Sequence, residues 1–200
     1  MSAPVLFVTV FTVEGARRPG YSPLSRFVSE LSLGPAGWVQ VLNFLVTGAL
    51  VVVFGRGLAL YSRSGAASRA GSVLLQIIGL GLMASGLFAT DASALGSPVS
   101  THGIIHWILG AVVFSLAPVS CFLFSRSFRR DPAWRPLAGW SLAAAAFLTL
   151  DIALLKFSQR PDAGLFADKG LVQRVFLVAF LTWLFAVAAR LYQPAGRQQP

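Results

Sequence analysis

The stretch GLFATDASALGSPVSTHGIIHWILGAVV, Gly86–Val113, decides how the chain is read. It holds Asp91, one of only seven acidic residues, and both histidines, His102 and His106. Long apolar runs flank it on either side, and the connection between them contains no Lys or Arg. Two hydrophobic runs meeting at a short polar turn predict two membrane helices whose few polar groups gather at one end.

The rest of the composition agrees. Of 200 residues, 56% are hydrophobic and 12% charged, against roughly a quarter charged in soluble domains. The mean hydropathy is +0.72. The pattern predicts an all-α, polytopic membrane helix bundle of about six transmembrane helices, and the alternating polarity of a membrane β-barrel is absent. The single Cys121 excludes an internal disulfide framework and a cysteine-based metal site. A net charge of +9 would suggest nucleic acid in a soluble protein. Here the arginines sit in breaks between apolar runs, as beside anionic lipid headgroups. With no separate basic domain, no nucleic-acid partner is expected.

Working outward, Ser2 to Val13 reads as a first helix reaching toward Ala16, short against a hydrocarbon core of about 30 Å. Arg17 to Gly37, punctuated by Pro19, Gly20, Pro23, Gly34 and Pro35, reads as a structured connection with one interfacial turn through Ser25–Leu33. The second span is Trp38 to about Leu60, followed by a Ser/Gly/Ala linker holding Arg63 and Arg69. The third is Gly71 to Thr90, where Gly81/Ser85 and Gly86/Thr90 give the four-residue spacing that lets helix backbones approach. The fourth is Thr101 to Ser125, with a kink expected at Pro118. The fifth is Trp134 to Phe157 and contains Asp151; the sixth is Leu171 to Tyr192, entered at Arg174. Residues 1–193 form one transmembrane domain, and 194–200 a polar tail expected to be disordered.

Six spans put both termini on one side. Nine of the basic residues then share that side and seven the other, so positive-inside counting places the termini in the cytoplasm. Six of the seven acids, all but Asp131, fall on the outer side. Independently of orientation, span counting puts Glu30, Asp91, His102, His106 and Asp151 at one face. His106 and Asp151 lie about 6–8 Å below it, with Asn43 and Arg174 at comparable depth. Ionisable groups at such depth are costly, face the bundle interior and tend to pair. A polar pocket opening to the outer face is the expected consequence.

RPGYSPLSRFVSELSLGPAGWVQVLNF at Arg18–Phe44, LFATD at Leu87–Asp91 and GIIH at Gly103–His106 resemble the bacterial membrane-protein family catalogued as domain of unknown function 998. The resemblance covers nearly the whole chain. It implies a small multi-helix integral membrane protein of unassigned activity in the bacterial inner (cytoplasmic) membrane. It also implies polar family positions at Tyr21, Ser29, Glu30, Asn43, Thr90, Asp91 and His106. Ala92 departs from the pattern, which continues Thr-Asp with proline, and His102 is not one of its marked positions.

Each polar residue has a plain reading beside a functional one. His102 and His106 are four apart, so a helix points them to nearly one side, about 6 Å apart along the axis. With Asp91 as a third ligand they define a candidate zinc site, backed by Glu30 or Asp151. That site faintly resembles the alkaline ceramidase and adiponectin-receptor group of intramembrane hydrolases, although the third histidine of those sites has no counterpart. The plain reading has His106 hydrogen-bonded to a carboxylate inside the bundle and His102 at the interface. Asp151 is either a proton-relay carboxylate or a structural partner of Lys156, Arg174 or His106. Glu30 either caps a turn or pairs with Arg17, Arg18 or Arg26. Three functions stay open: an outward pocket for a small polar or lipid-headgroup ligand, a metal-dependent lipid hydrolase using Asp91, His102 and His106, and a non-catalytic assembly partner in the bilayer.

Overall fold

In hydrocarbon every backbone N–H and C=O must find a partner within the chain, so apolar runs of this length fold as helices. The protein is described by a computed structural model covering residues 2–61, 65–92 and 98–192. It has six helices: α1 Ser2–Arg17, α2 Gly37–Tyr61, α3 Gly65–Leu87, α4 Thr101–Phe128, α5 Pro136–Ser158 and α6 Lys169–Leu191. Five of them, α2 to α6, are long and apolar enough to cross a membrane. The sixteen residues of α1 reach about 24 Å at 1.5 Å per residue, which matches the short first helix expected. Among the described residues there is no strand.

Each helix packs on the next in chain order, and α1 also touches α6. The longer connections, 18–36, 88–100 and 159–168, all emerge at one face, hereafter the long-loop face. Two of them carry a short 3-10 turn, Val28–Ser32 and Phe166–Asp168. The first lies where one interfacial turn was expected.

Small residues set the closest crossing. A Cβ on Gly48 of α2 would stand 2.5 Å from the Gly79 carbonyl oxygen, and one on Gly79 would stand 2.6 Å from that of Gly48. Backbones this close leave room only for hydrogen. Gly81 turns the other way, toward Val113 of α4, and Gly86 faces Phe44 of α2. The small-residue helix α3 is therefore gripped on both sides.

Both ends of α3 differ from expectation, while the ends of the other spans shift by three residues or fewer. The linker placed over Arg69 is helical, because α3 starts at Gly65; Ala66, Ala67 and Ala70 favour helix once Gly65, at φ 69°, has made the turn. Its other end comes earlier, at Leu87 rather than Thr90. Pro118 does not break α4, which runs continuously through it. Arg63 and the tail 194–200 lie outside the described residues.

Candidate functional site

The residues of the Gly86–Val113 stretch build a reciprocal clasp between α3 and α4. His106 Nδ1 lies 3.0 Å from the Ser85 carbonyl oxygen and 2.8 Å from that of Phe88, at the open C-terminal end of α3. Carbonyls only accept, so Nδ1 carries the proton and Nε2 is left as the ring's second polar atom. Asp91 answers from the other side. Its Oδ2 accepts the backbone N–H groups of Val99 (2.8 Å) and Ser100 (2.9 Å), just ahead of α4. Ser100 then caps the helix, its Oγ accepting from Gly103 N–H at 2.9 Å. A methyl on Gly103 would overlap the Asp91 carboxylate, so any larger residue there would have to push that carboxylate off its place. Those donors, from Ser100 first and then Val99, hold the Asp91 carboxyl below its ordinary pKa.

A second set of bonds straps the connection 18–36 onto α6. Arg174 Nη1 donates to the carbonyls of Pro23 (2.6 Å), Arg26 (2.8 Å) and Gly170 (2.9 Å), and Nη2 donates to the Tyr21 hydroxyl. Tyr21 donates in turn to the Phe27 carbonyl at 3.0 Å. Burial is the main influence raising the Tyr21 pKa, with the Arg174 charge opposing it. Gln173 Oε1 accepts from Val28 N–H (2.8 Å), and Leu171 N–H donates to Leu24 O (2.9 Å). Within the strap, Glu30 Oε1 accepts Phe27 N–H at 2.9 Å and so caps the 3-10 turn. Arg18 donates to the carbonyls of Leu33 and Glu30.

Between these two structures lies a cavity of about 510 Å³, to which all six helices contribute. Toward the long-loop face its lining includes the polar Ser29, Thr90, Asp91, Lys156, Gln159, Lys169 and Gln173, set among Phe27, Val28, Pro98 and Phe166. Deeper it is mostly apolar, with Phe7, Phe44, Leu82, Val113, Phe114 and Leu177, interrupted by Ser85, His106 and Ser115. Its size falls within the roughly 300–1,000 Å³ of ordinary small-molecule sites.

Of the residues singled out from the sequence, Ser29, Thr90, Asp91 and His106 line this cavity, and Tyr21, Glu30, Asn43, Asp151 and Arg174 do not. Arg174, Tyr21 and Glu30 are engaged in the strap. Asn43 ties α2 to α1, its Nδ2 donating to Phe7 O at 3.2 Å. Asp151 lies on the buried stripe of α5 with Leu148 and Leu155, 5% exposed, and its Oδ2 has no hydrogen-bond partner among the described residues. The carboxylate expected to hold His106 is thus replaced by two backbone carbonyls.

The candidate zinc triad does not assemble. Among the described residues no three His, Cys, Asp or Glu side chains are gathered as a metal site. His102 is exposed and lies edge-on to Phe88. Asp91 and His106 serve two different helix ends. In the other direction, Lys156, Lys169, Gln159 and Gln173 line the cavity without having been singled out. Their signal was present in the sequence: each stands within a few residues of a helix end on the face that bears the acids.

A bundle of apolar helices, five of them long enough to cross a bilayer, defines a multi-pass membrane protein. More particularly, residues 1–190 match the family model described as "Protein of unknown function (DUF998)", and the chain belongs to that family. No curated protein and no solved structure matches it.

Proposed function

We propose that this protein binds a small polar molecule or a lipid headgroup in the central cavity, admitted at the long-loop face. That face is the outer one in a bacterial inner membrane, with both termini cytoplasmic. The supporting observation is the cavity itself, ringed by all six helices, mainly apolar, with most of its polar side chains gathered toward the long-loop face. Soluble interiors close such space, since voids forfeit packing contacts on every lining atom. His106 supplies a polar group partway down: with Nδ1 held by Ser85 and Phe88, Nε2 is the atom left to meet a ligand.

Gly110 offers a direct test. It lines the cavity, and a Cβ placed there meets nothing within 4 Å. The first side-chain carbon of Gly110→Phe therefore meets no neighbour, and the ring beyond it is expected to compete with an occupant of the cavity. Native mass spectrometry of the wild type in mild detergent is expected to show a retained small molecule or lipid, and Gly110→Phe is expected to lose it while remaining folded. Equal retention by both proteins, or none by either, would refute the reading. The hydrolase alternative gains nothing from this geometry, because its three ligands are not gathered.

A further inference from the structure

Resting on the cavity reading above, we infer that the cavity opens sideways into the bilayer between α4 and α5. Its occupant is then a membrane lipid whose hydrocarbon chain enters through that gap, in the leaflet of the long-loop face. Three observations carry this.

The first is that the two helices part. Ala111, Pro118 and Ser125 are seven residues apart, so they stack along one side of α4. Pro118 and Ser125 are buried, whereas Ala111 is exposed and lines the cavity. The same change runs along α5. Ala138 and Ala145 are buried, and the next two residues at that spacing, Ile152 and Gln159, are half-buried and line the cavity. At the opposite, packed end, Phe128 of α4 stacks on Trp134 just ahead of α5, with ring centroids 4.9 Å apart.

The second is that side chains at the gap face two ways. Ser115 lines the cavity, yet it lies seven residues from Ile108, which is exposed and does not line it. Trp107 lines the cavity while 58% exposed. Across the gap, Lys156 lines the cavity and continues the exposed stripe of Leu142 and Thr149. The cavity wall therefore runs out onto the surface that meets lipid. Gly110 and Ala111 leave the passage between them and α5 free of bulky side chains.

The third is depth. Ser115 stands halfway along the 28 residues of α4, about 21 Å from its start, in a bilayer whose hydrocarbon is about 30 Å thick. What meets the gap there is acyl chain, not water. Phe44, Phe114 and Leu177 wall the space behind it. A chain passing inward stays in hydrocarbon throughout and supplies the packing contacts that an empty cavity forfeits. A polar solute has no such route. At the rim the lining carries both signs, the exposed Lys156 and the Asp91 carboxylate, so a headgroup without net charge meets no overall repulsion.

The test uses the full chain in phosphatidylcholine vesicles doped with a long-chain phosphatidylcholine carrying a diazirine along one chain. After photolysis the labelled residues are mapped by mass spectrometry. A water-soluble dibutyryl phosphatidylcholine diazirine is the comparison arm. Phe44 and Val113 line the cavity but are only 6% and 5% exposed, so a lipid that stays outside does not reach them. The exposed Leu150, outside the lining, reports the outer surface. The long-chain probe is expected to label Phe44 and Val113 saturably. Ala111→Phe combined with Ser115→Phe, both exposed positions at the gap, is expected to cut that labelling about tenfold or more and to leave Leu150 labelled as before. Should the double variant not fold, Ser115→Phe carries this arm alone.

Long-chain labelling that spares Phe44 and Val113 would overturn the lipid. Inner labelling that is equal in the gap variant and the wild type would overturn side entry, as would stronger inner labelling by the water-soluble probe. Gly110→Phe separates the two levels: if it stops inner labelling while the gap variant does not, the cavity stands and the side entry falls. If it changes neither the labelling nor the retained mass, the cavity reading itself fails.

Discussion

Replacing His106 by phenylalanine removes one hydrogen-bond donor while keeping an aromatic ring of similar size beside Phe44, whose centroid lies 6.3 Å away. The ring is 9% exposed, and its Nδ1–H is shared by two carbonyls at the end of α3. Orphaning a buried acceptor costs about 1–3 kcal/mol in proteins generally. Interhelical side-chain bonds inside bilayers average about 0.6 and reach about 1.7 kcal/mol. The site is buried yet close to the long-loop face, so the two ranges together place the loss at about 1–2 kcal/mol. Asparagine provides the control, because its Nδ2 stands where Nδ1 of histidine stands and can donate to the same carbonyls. Reversible unfolding in mixed micelles is the assay: His106→Phe is expected to lose about 1–2 kcal/mol and His106→Asn to recover more than half. If both variants are equally destabilised, or neither is, the imidazole is not holding α3 and the clasp is misread.

Four further outcomes follow from the same contacts. Asp91 has a depressed carboxyl pKa in the folded protein, so its contribution is present above the ordinary carboxylate value of about 4 and vanishes as pH falls through the lower folded value. Unfolding midpoints taken between neutral and strongly acidic pH should show that loss, and Asp91→Asn should remove its share of the pH dependence. Gly79→Val drives a side chain into the Gly48 carbonyl, at a cost of about 1–3 kcal/mol or more; a thermal midpoint equal to wild type would mean that the helices separate freely. Arg174→Lys keeps the charge but loses the planar fork that reaches three carbonyls and Tyr21. Limited proteolysis should then cut between residues 18 and 36 faster than in wild type. Asp151→Leu removes a carboxyl whose Oδ2 has no hydrogen-bond partner among the described residues, so it should be neutral or stabilising by about 1 kcal/mol; a loss above about 2 kcal/mol would reveal a partner for that carboxyl.

Much of the fold was legible because bilayer physics leaves few choices. Apolar runs bounded by Trp38, Arg126, Trp134 and Arg190 could only be helices, and counting them put Glu30, Asp91, His106 and Asp151 at one face. Helix ends were less legible where propensity and polarity disagree, as at Arg69, which a Ser/Ala-rich helix carries outward. The site was legible as a neighbourhood and not as a set of contacts. Periodicity shows that His102 and His106 share a helix side, yet four residues are about 40° more than one full turn. That offset helps leave His102 exposed while His106 turns inward.

Class of protein, number of helices and the end of the bundle where charge collects follow from length, hydropathy and order along the chain. What each polar group does there depends on how the helices pack. Asp91 and His106 turn out to close the ends of α4 and α3, Arg174 to strap a loop, and Lys156 and Lys169 to flank the cavity. Hydrogen bonding is a matter of a few tenths of an ångström and of side-chain direction. Those are set by how six helices cross, and no one-dimensional pattern contains the crossing.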